Sequence, residues 1–302
     1  MQKNLLTLAF IAIVGLQLQA QYISVLGTEY IQTNKTSCFY PQFSPAGDYH
    51  LVSEANYSGL RAYNFASRTL VTLTYDAGAG FNAKISADGK SILYSKTDFI
   101  KNLRHNSLVQ IDKATRVKKQ LSSPSRNAVL GHFTANQPQY VSAQKLNRLT
   151  TVKADTKPII SIEDQLMVIY TSSLRKILTP NGKDASYIWP SISPDMKNIV
   201  YTVAGKGTYV CKIDGSTPTF IGKINAPIWL NNSWIIGMED KDDGEKLISS
   251  TLIAATIDGK IRQTLLTPRG VMAMYPAASA DGKRIAFNTE KGEIYILNVS
   301  IK

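Results

Sequence analysis

The chain has 302 residues, of which 44% are hydrophobic, 9% aromatic and 19% charged, and this composition excludes disordered and collagen-like proteins. Lysine and arginine outnumber aspartate and glutamate by 34 to 22, which gives a formal net charge of +12 and favours anionic partners. The two cysteines have no C-x-x-C spacing, so neither a disulfide framework nor a cysteine-based zinc site is available.

Residues 1–20 have the composition of a secretory signal peptide. Lys3 precedes an apolar run from Leu5 to Leu16, and Ala20 provides a small residue before Gln21. The run has about 12 residues, whereas a membrane-spanning helix needs about 20. We therefore expect cleavage before Gln21 and a soluble periplasmic or extracellular protein without a transmembrane segment. Nucleic acid is then not an expected partner, and an acidic glycan or an envelope protein is.

A repeated motif runs through residues 21–302. Each clear copy has an apolar residue, then a serine, then a turn that contains aspartate or glycine. These copies begin at Tyr40, Asn82, Trp189 and Tyr275. Weaker copies begin at Gly131 and Ala226. The residues before the serine position are Phe43, Ile85, Phe133, Ile192, Trp229 and Ala278, at intervals of 37 to 59 residues that average about 47.

Each copy is followed by short runs with strand composition and turn residues between them, which predicts four antiparallel strands per unit. Prolines at positions 41, 190, 227 and 276 fall in the first strand of a unit, where a missing N–H is tolerated if the strand is paired on one side only. The pattern predicts an all-β fold, a six-bladed β-propeller formed as one domain by residues 21–302.

The last unit has three predicted strands before the chain ends at Lys302. The strand-like run from Tyr22 to Gly27 precedes the first unit and belongs to no blade of its own. We expect it to pair with the strand near Glu293–Val299 and so close the ring.

The motif, Tyr/Trp-Pro-x-apolar-Ser-Pro/Ala-Asp-Gly-Lys, resembles the WD-type repeat of TolB-like propellers over nearly all of residues 22–302. The resemblance implies protein interaction in the cell envelope. It also implies a stand-alone propeller of the kind expected in Bacteroidetes-like bacteria, because the chain leaves no room for the N-terminal α/β domain of TolB-type proteins. The motif is also similar to the propeller of prolyl oligopeptidase-type enzymes, but their Gly-x-Ser-x-Gly elbow is absent.

Aromatic residues occupy the position before the proline in three units. Equivalent positions of a ring meet at one end of the central channel, so Tyr40, Trp189 and Tyr275 are predicted to lie at its mouth. They form either a stacking platform for a sugar or peptide, or a wedge between adjacent blades. The main hypothesis is a monomeric, non-enzymatic scaffold that binds an envelope protein or an acidic glycan at this mouth.

Gln42, Lys84 and His132 lie two residues before the serine position of three consecutive units and are predicted to line the channel. They are further binding candidates, and they provide the alternative hypothesis, a polysaccharide lyase with a base and a charge-neutralising group in the channel.

No metal or cofactor is expected. The acidic segment Glu239–Glu245 has Lys241 where an EF-type loop needs an acid, so it is interpreted as a solvated hairpin loop. The surplus in the longest interval, Lys145–Asp164, is expected to protrude as a loop or hairpin and is a secondary binding candidate.

Overall fold

The computed structural model describes residues 22–33, 36–134, 136–142, 145–148, 157–172 and 174–302. These residues form antiparallel sheets arranged in a ring, with one short 3-10 turn at Ala55–Tyr57. The all-β class and the propeller architecture are confirmed. The predicted signal peptide at 1–20 lies outside the described residues.

The described residues form seven sheets, here called blades and numbered in chain order. In each blade the strands are given from the centre of the ring outwards. They are blade 1 (β2 Phe39–Phe43, β3 Tyr49–Ser53, β4 Leu60–Asn64, β5 Thr69–Thr74), blade 2 (β6 Lys84–Ile85, β7 Ser91–Ile100, β8 Leu103–Asp112, β9 Lys118–Gln120), blade 3 (β10 Val129–Thr134, β11 Gln137–Ser142, β12 Lys145–Arg148), blade 4 (β13 Ile159–Glu163, β14 Leu166–Tyr170, β15 Arg175–Leu178), blade 5 (β16 Tyr187–Ile192, β17 Asn198–Val203, β18 Gly207–Lys212, β19 Thr219–Gly222), blade 6 (β20 Asn225–Trp229, β21 Trp234–Asp242, β22 Leu247–Thr256, β23 Arg262–Thr264) and blade 7 (β24 Met274–Ala278, β25 Arg284–Asn288, β26 Ile294–Ile301, β1 Ile23–Ile31).

Hydrogen bonds explain the repeated serine and aspartate. In blade 2 the Ser86 hydroxyl donates to Asp88 Oδ1 at 2.6 Å and accepts the Ser91 N–H at 2.9 Å, which fixes the turn between the two inner strands. Gly89 completes this turn with a φ of 70°. The same serine–aspartate bond recurs in blades 5 and 7, as Ser193–Asp195 and Ser279–Asp281. The motif is therefore a turn signal, and it marks where an innermost strand ends.

Apolar clusters between the blades hold the ring together. The second strand of a blade is buried on both faces, so its residues alternate between the two neighbouring blades: Leu51 packs toward blade 2 and Val52 toward blade 7. This explains the continuous apolar runs of the second strands. Each of the seven clusters joins two successive blades, and the cluster around Val52 and Ile294 joins the last blade to the first. The ring is closed by packing as well as by pairing.

The predicted closure by the N-terminal strand is confirmed. β1 pairs antiparallel with β26 from Ile23–Ile301 to Ile31–Ile294, so the pairing continues four residues beyond the predicted end at Gly27. Tyr22 and Lys302 also exchange backbone hydrogen bonds in both directions. The side chain of Gln263 accepts from and donates to the backbone of Ile23, which ties β1 to blade 6.

The number of sheets differs from the six predicted units, because the longest interval contains two sheets. Lys145–Arg148 is the third strand of blade 3 and Ile159–Glu163 is the innermost strand of blade 4, so neither forms the expected protrusion. Residues 149–156 lie outside the described residues. Blade 4 lacks the repeated motif, because Asp164 and Gln165, with φ of 46° and 67°, form its inner turn without the serine. Arg175–Leu178 is the third strand of blade 4, so within the described residues blades 3 and 4 have three strands each and not the predicted four.

Candidate functional site

The innermost strands are bulged where the sequence predicts the channel mouth. Tyr40, Trp189, Ala226 and Tyr275 have left-handed φ angles of 46° to 54°, and each directly precedes a proline. At each bulge the inner strand carries one residue more than its partner strand. A non-glycine residue in the left-handed region costs of order 1–3 kcal/mol of conformational free energy. The recurrence of this strained backbone in four blades makes it a regular feature of the innermost strands.

Four aromatic rings form a continuous band along one part of the mouth. Tyr275 meets Tyr40 edge-on with ring centroids 4.7 Å apart, Tyr40 stacks on Tyr57 at 3.8 Å, and Tyr57 meets Phe81 edge-on at 5.1 Å. We call these residues the aromatic band. It runs from blade 7 across blade 1 to the connection that leads into blade 2, and Phe81 at its end is 49% exposed. The band offers ring faces and edges to a ligand that lies over the channel.

The structure brings together two of the three predicted mouth aromatics. Tyr40 and Tyr275 touch, whereas Trp189 in blade 5 has no ring partner among the described residues and is 38% exposed. The other two members of the band, Tyr57 and Phe81, lie in connections between strands, where the repeated motif gives no signal. Burial raises the pKa of the hydroxyls of Tyr40, Tyr57 and Tyr275, so these groups stay neutral at physiological pH.

Gln42, Lys84 and His132 occupy equivalent positions on the innermost strands of blades 1, 2 and 3, and we call this position the channel level. Their partners on the second strands are Leu51, Leu93 and Gln139. By the same register the level also contains Ser161, Ser191, Ile228 and Ala277. All seven residues are half-buried, as expected for side chains that face a narrow channel. Lys84 is the only lysine or arginine of this level, and no carboxylate belongs to it.

The ammonium group of Lys84 is partly removed from solvent. Its Nζ donates to Asn82 Oδ1 at 2.5 Å, and Asn82 is one of the left-handed residues of the mouth. Burial lowers the pKa of Lys84 to about 8, because removal from water disfavours the charged ammonium. The ion pairs of the described residues do not include Lys84.

His132 in the neighbouring blade is neutral at physiological pH. Burial lowers the pKa of its imidazole to about 4, and the positive charges of Lys157 and Lys84 act in the same direction. Its Nε2 is buried without a hydrogen-bond partner in the described part of the chain. Thr134 Oγ1 and Gln139 Oε1, on the same pair of strands, are also buried without a partner there. Such groups are costly unless something satisfies them.

Within the described ranges, no group of histidine, cysteine, aspartate and glutamate is placed to hold a metal ion. The acidic segment forms the tip of the β21–β22 hairpin, where Asp243 Oδ1 accepts the backbone N–H groups of Glu245 and Lys246. Cys38 and Cys211 are free and buried, in blades 1 and 5 of the ring. None of the described helical segments has the length and apolarity to cross a membrane.

Solved structures with the same architecture come from several kinds of protein. TolB from Acinetobacter baumannii aligns with a TM-score of 0.52 and 16% identity, over 80% of this chain and 56% of that one. A chain of the Mitotic Checkpoint Complex aligns with a TM-score of 0.62 and 10% identity, over 99% of both chains. An oligogalacturonate lyase in complex with manganese aligns with a TM-score of 0.50 and 12% identity, over 87% of this chain and 78% of that one.

The sequence matches no family model and no curated protein. At identities of 10% to 16% the structural matches show the fold alone. The chain also spans only about half of the TolB chain that it resembles. The structure therefore establishes a β-propeller fold, and the repeated motif of its sequence resembles the WD-type repeat of TolB-like propellers.

Proposed function

We propose that the protein is an exported, non-enzymatic scaffold that binds a protein or a glycan of the cell envelope at the channel mouth. The aromatic band carries this proposal. Four touching rings beside the innermost strands form one aromatic surface, and Phe81 leaves about half of its side chain open to a ligand. The similarity to the propeller of TolB is consistent with an envelope role.

Export is supported by the apolar run and the small residue before Gln21. N-terminal sequencing of the protein from its own host tests it. We expect a chain that begins at Gln21 in the periplasmic or culture fraction. A chain that begins at Met1 in the cytosol contradicts export.

Binding at the mouth is tested with a matched pair of exposed phenylalanines. Phe81 in the aromatic band is 49% exposed, and Phe220 on the outer strand β19 is 50% exposed. The wild type is applied to a glycan array and to envelope extract, and each ligand found is titrated against Phe81→Ala and Phe220→Ala. We expect Phe81→Ala to weaken binding by about tenfold, since packing of a sugar ring or an aromatic side chain on Phe81 contributes roughly 1 kcal/mol or more. Phe220→Ala should leave the affinity unchanged. Equal affinities for the two variants contradict the mouth as the binding surface.

A lyase acting on an acidic polysaccharide is the second candidate. Lys84, with its pKa of about 8, and the neutral His132 lie in adjacent blades at one level of the channel, and both are bases that a proton abstraction can use. The decisive assay measures unsaturated products from a panel of uronic-acid polysaccharides. Turnover that disappears in His132→Ala and Lys84→Met supports the lyase and overturns the non-enzymatic scaffold. We expect no turnover.

A further inference from the structure

We infer that the channel holds an oxyanion, a carboxylate or a phosphate carried by a hydroxylated ligand, at Lys84 and His132 between blades 2 and 3. This inference rests on the proposed binding function and specifies the chemistry of its ligand. It concerns a level of the channel below the aromatic band.

The first argument is uncompensated charge. Lys84 lies on the wall of the channel with a neutral amide, Asn82, as the partner of its Nζ. Lys157 is near enough for its charge to act on His132, and none of the ion pairs of the described residues involves either lysine. Lys157 is exposed and Lys84 half-buried, and both add positive charge near one imidazole, so an anion bound beside His132 is attracted by both. A purely structural position for residue 84 has no need of an ammonium group.

The second argument is the set of unsatisfied polar atoms. His132 Nε2, Thr134 Oγ1 and Gln139 Oε1 are buried without a well-formed hydrogen bond in the described part of the chain, and the Gln139 side chain lies near enough to His132 to act on its pKa in the raising direction. The threonine hydroxyl and an imidazole N–H can donate to an oxyanion, whereas the Gln139 oxygen can only accept and therefore fits a ligand hydroxyl. Donors and an acceptor together match a sugar acid or a sugar phosphate better than a bare inorganic ion.

The third argument is continuity with the mouth. The aromatic band ends at Phe81, and the chain runs from there through Asn82 and Ala83 to Lys84. A ligand whose sugar ring lies against the band can therefore place its charged group toward Lys84. The geometry combines ring contact above with charge recognition below.

The test uses sodium glucuronate, sodium phosphate and glucose as probes at constant ionic strength, with calorimetry on the full chain. We expect the wild type to bind glucuronate or phosphate more tightly than glucose. Lys84→Met should lose roughly tenfold or more in affinity for the bound anion, the effect of one charge-assisted hydrogen bond. The matched control Lys119→Met, on the exposed outer strand β9, should bind as the wild type does. Stronger binding of glucuronate identifies a carboxylate ligand, and stronger binding of phosphate a phosphorylated one.

Chemical labelling provides a readout that needs no variant. Because its amine is partly deprotonated near neutral pH, Lys84 should react with an acylating reagent faster than Lys119, and the bound anion should protect Lys84 alone. Peptide mass spectrometry measures both lysines in one sample. Equal protection of the two lysines, or anion binding that is unchanged in Lys84→Met, overturns the oxyanion site.

A structural role of Lys84 predicts different results. If Lys84 only stabilises the fold, Lys84→Met lowers the melting temperature in chloride buffer and leaves anion affinity unchanged, which contradicts the inference. We expect a melting temperature equal to or above that of the wild type, since an unpaired half-buried cation is removed. The outcomes distinguish the two proposals. If Phe81→Ala loses partner binding and Lys84→Met does not, only the oxyanion site is contradicted. If anions bind at Lys84 and Phe81→Ala has no effect on binding, only the binding role of the mouth is contradicted.

Discussion

At the scale of single residues, His50 is an imidazole enclosed by aromatic rings. It has no exposed surface, it lies 5.0 Å from the Phe65 ring and 5.3 Å from the Tyr63 ring between centroids, and neither of its nitrogens has a hydrogen-bond partner among the described residues. Burial lowers the pKa of His50 to about 3, and the charge of Arg284 acts in the same direction. His50 is therefore neutral in the folded protein, and its unsatisfied nitrogens lower the stability of the fold. It is not a site residue.

The lowered pKa of His50 gives a pH dependence with a definite sign. The unfolded chain takes up the proton near pH 6.5, whereas the folded chain resists it until about pH 3, so protonation favours unfolding. Stability is then full above about pH 6.5 and falls as the pH approaches the folded-state value. His132 adds to this loss between about pH 6.5 and its own pKa of about 4.

Replacing His50 by an apolar side chain should stabilise the protein. We expect His50→Phe or His50→Leu to raise the free energy of unfolding at pH 7 by about 1–3 kcal/mol, because the unsatisfied nitrogens are removed. The gain should grow toward pH 4. Urea unfolding at several pH values measures it. His105→Phe, on the half-exposed arm of the β7–β8 hairpin, should change little, and a loss of stability in both His50 variants contradicts the assignment.

Trp189 and Trp234 separate binding from packing. Trp189 is 38% exposed without a ring partner in the described part of the chain, whereas Trp234 has no exposed surface and packs between blades 6 and 7. We expect Trp189→Ala to cost about 1 kcal/mol or less and Trp234→Ala about 3–5 kcal/mol. Thermal unfolding measures the difference. A cost of Trp189→Ala close to that of Trp234→Ala would show that Trp189 wedges blades apart.

At the scale of elements, β1 is the strand on which the closed ring depends. It covers the edge of β26 along its whole length and buries Ile23 and Ile31 in two different apolar clusters. The outer strand β15 of blade 4, in contrast, is paired only with β14 in the described residues, and the charged side chains of Arg175 and Lys176 protect its edge. Blade 7 has no such protection if β1 is absent.

Removal of residues 22–31 should lower the melting temperature by several degrees and promote association through the exposed β26 edge. Calorimetry and light scattering measure the two effects. A synthetic peptide of residues 22–31, added in excess, should restore both toward the wild type, whereas a scrambled peptide should not. An unchanged melting temperature after the deletion would contradict closure by β1.

For the molecule as a whole, the sequence predicted the features that depend on local hydrogen bonds in turns. The serine–aspartate turns mark innermost strands in blades 1, 2, 5 and 7, and the prolines indicate strands that are paired on one side. The propeller, its closure and the equivalent strand positions of Lys84 and His132 therefore followed from the sequence pattern. The seventh sheet did not follow, because the inner turn of blade 4 uses two left-handed residues in place of the serine motif.

The aromatic band was only half predictable for a related reason. Tyr40 and Tyr275 occupy repeated positions, but Tyr57 lies in a 3-10 turn and Phe81 in a connection between blades. Contacts between connections depend on how neighbouring blades are placed, and a single sequence carries no periodic signal for them. The channel level was predictable because register within a strand is periodic.

The pairing of β1 with β26 also sets the order in which the molecule can assemble. Hairpins and single blades need only contacts between residues near each other in the chain, so they can form while synthesis continues, but β1 has no partner until Ile294–Ile301 has been made. β1 can therefore pair only after β26 has been synthesised, and we expect ring closure to be the slow step of folding. A chain shortened by its final eight or nine residues would lose two strands of blade 7 instead of one, and its unfinished ring would stay open to chaperones, proteases and other copies of itself.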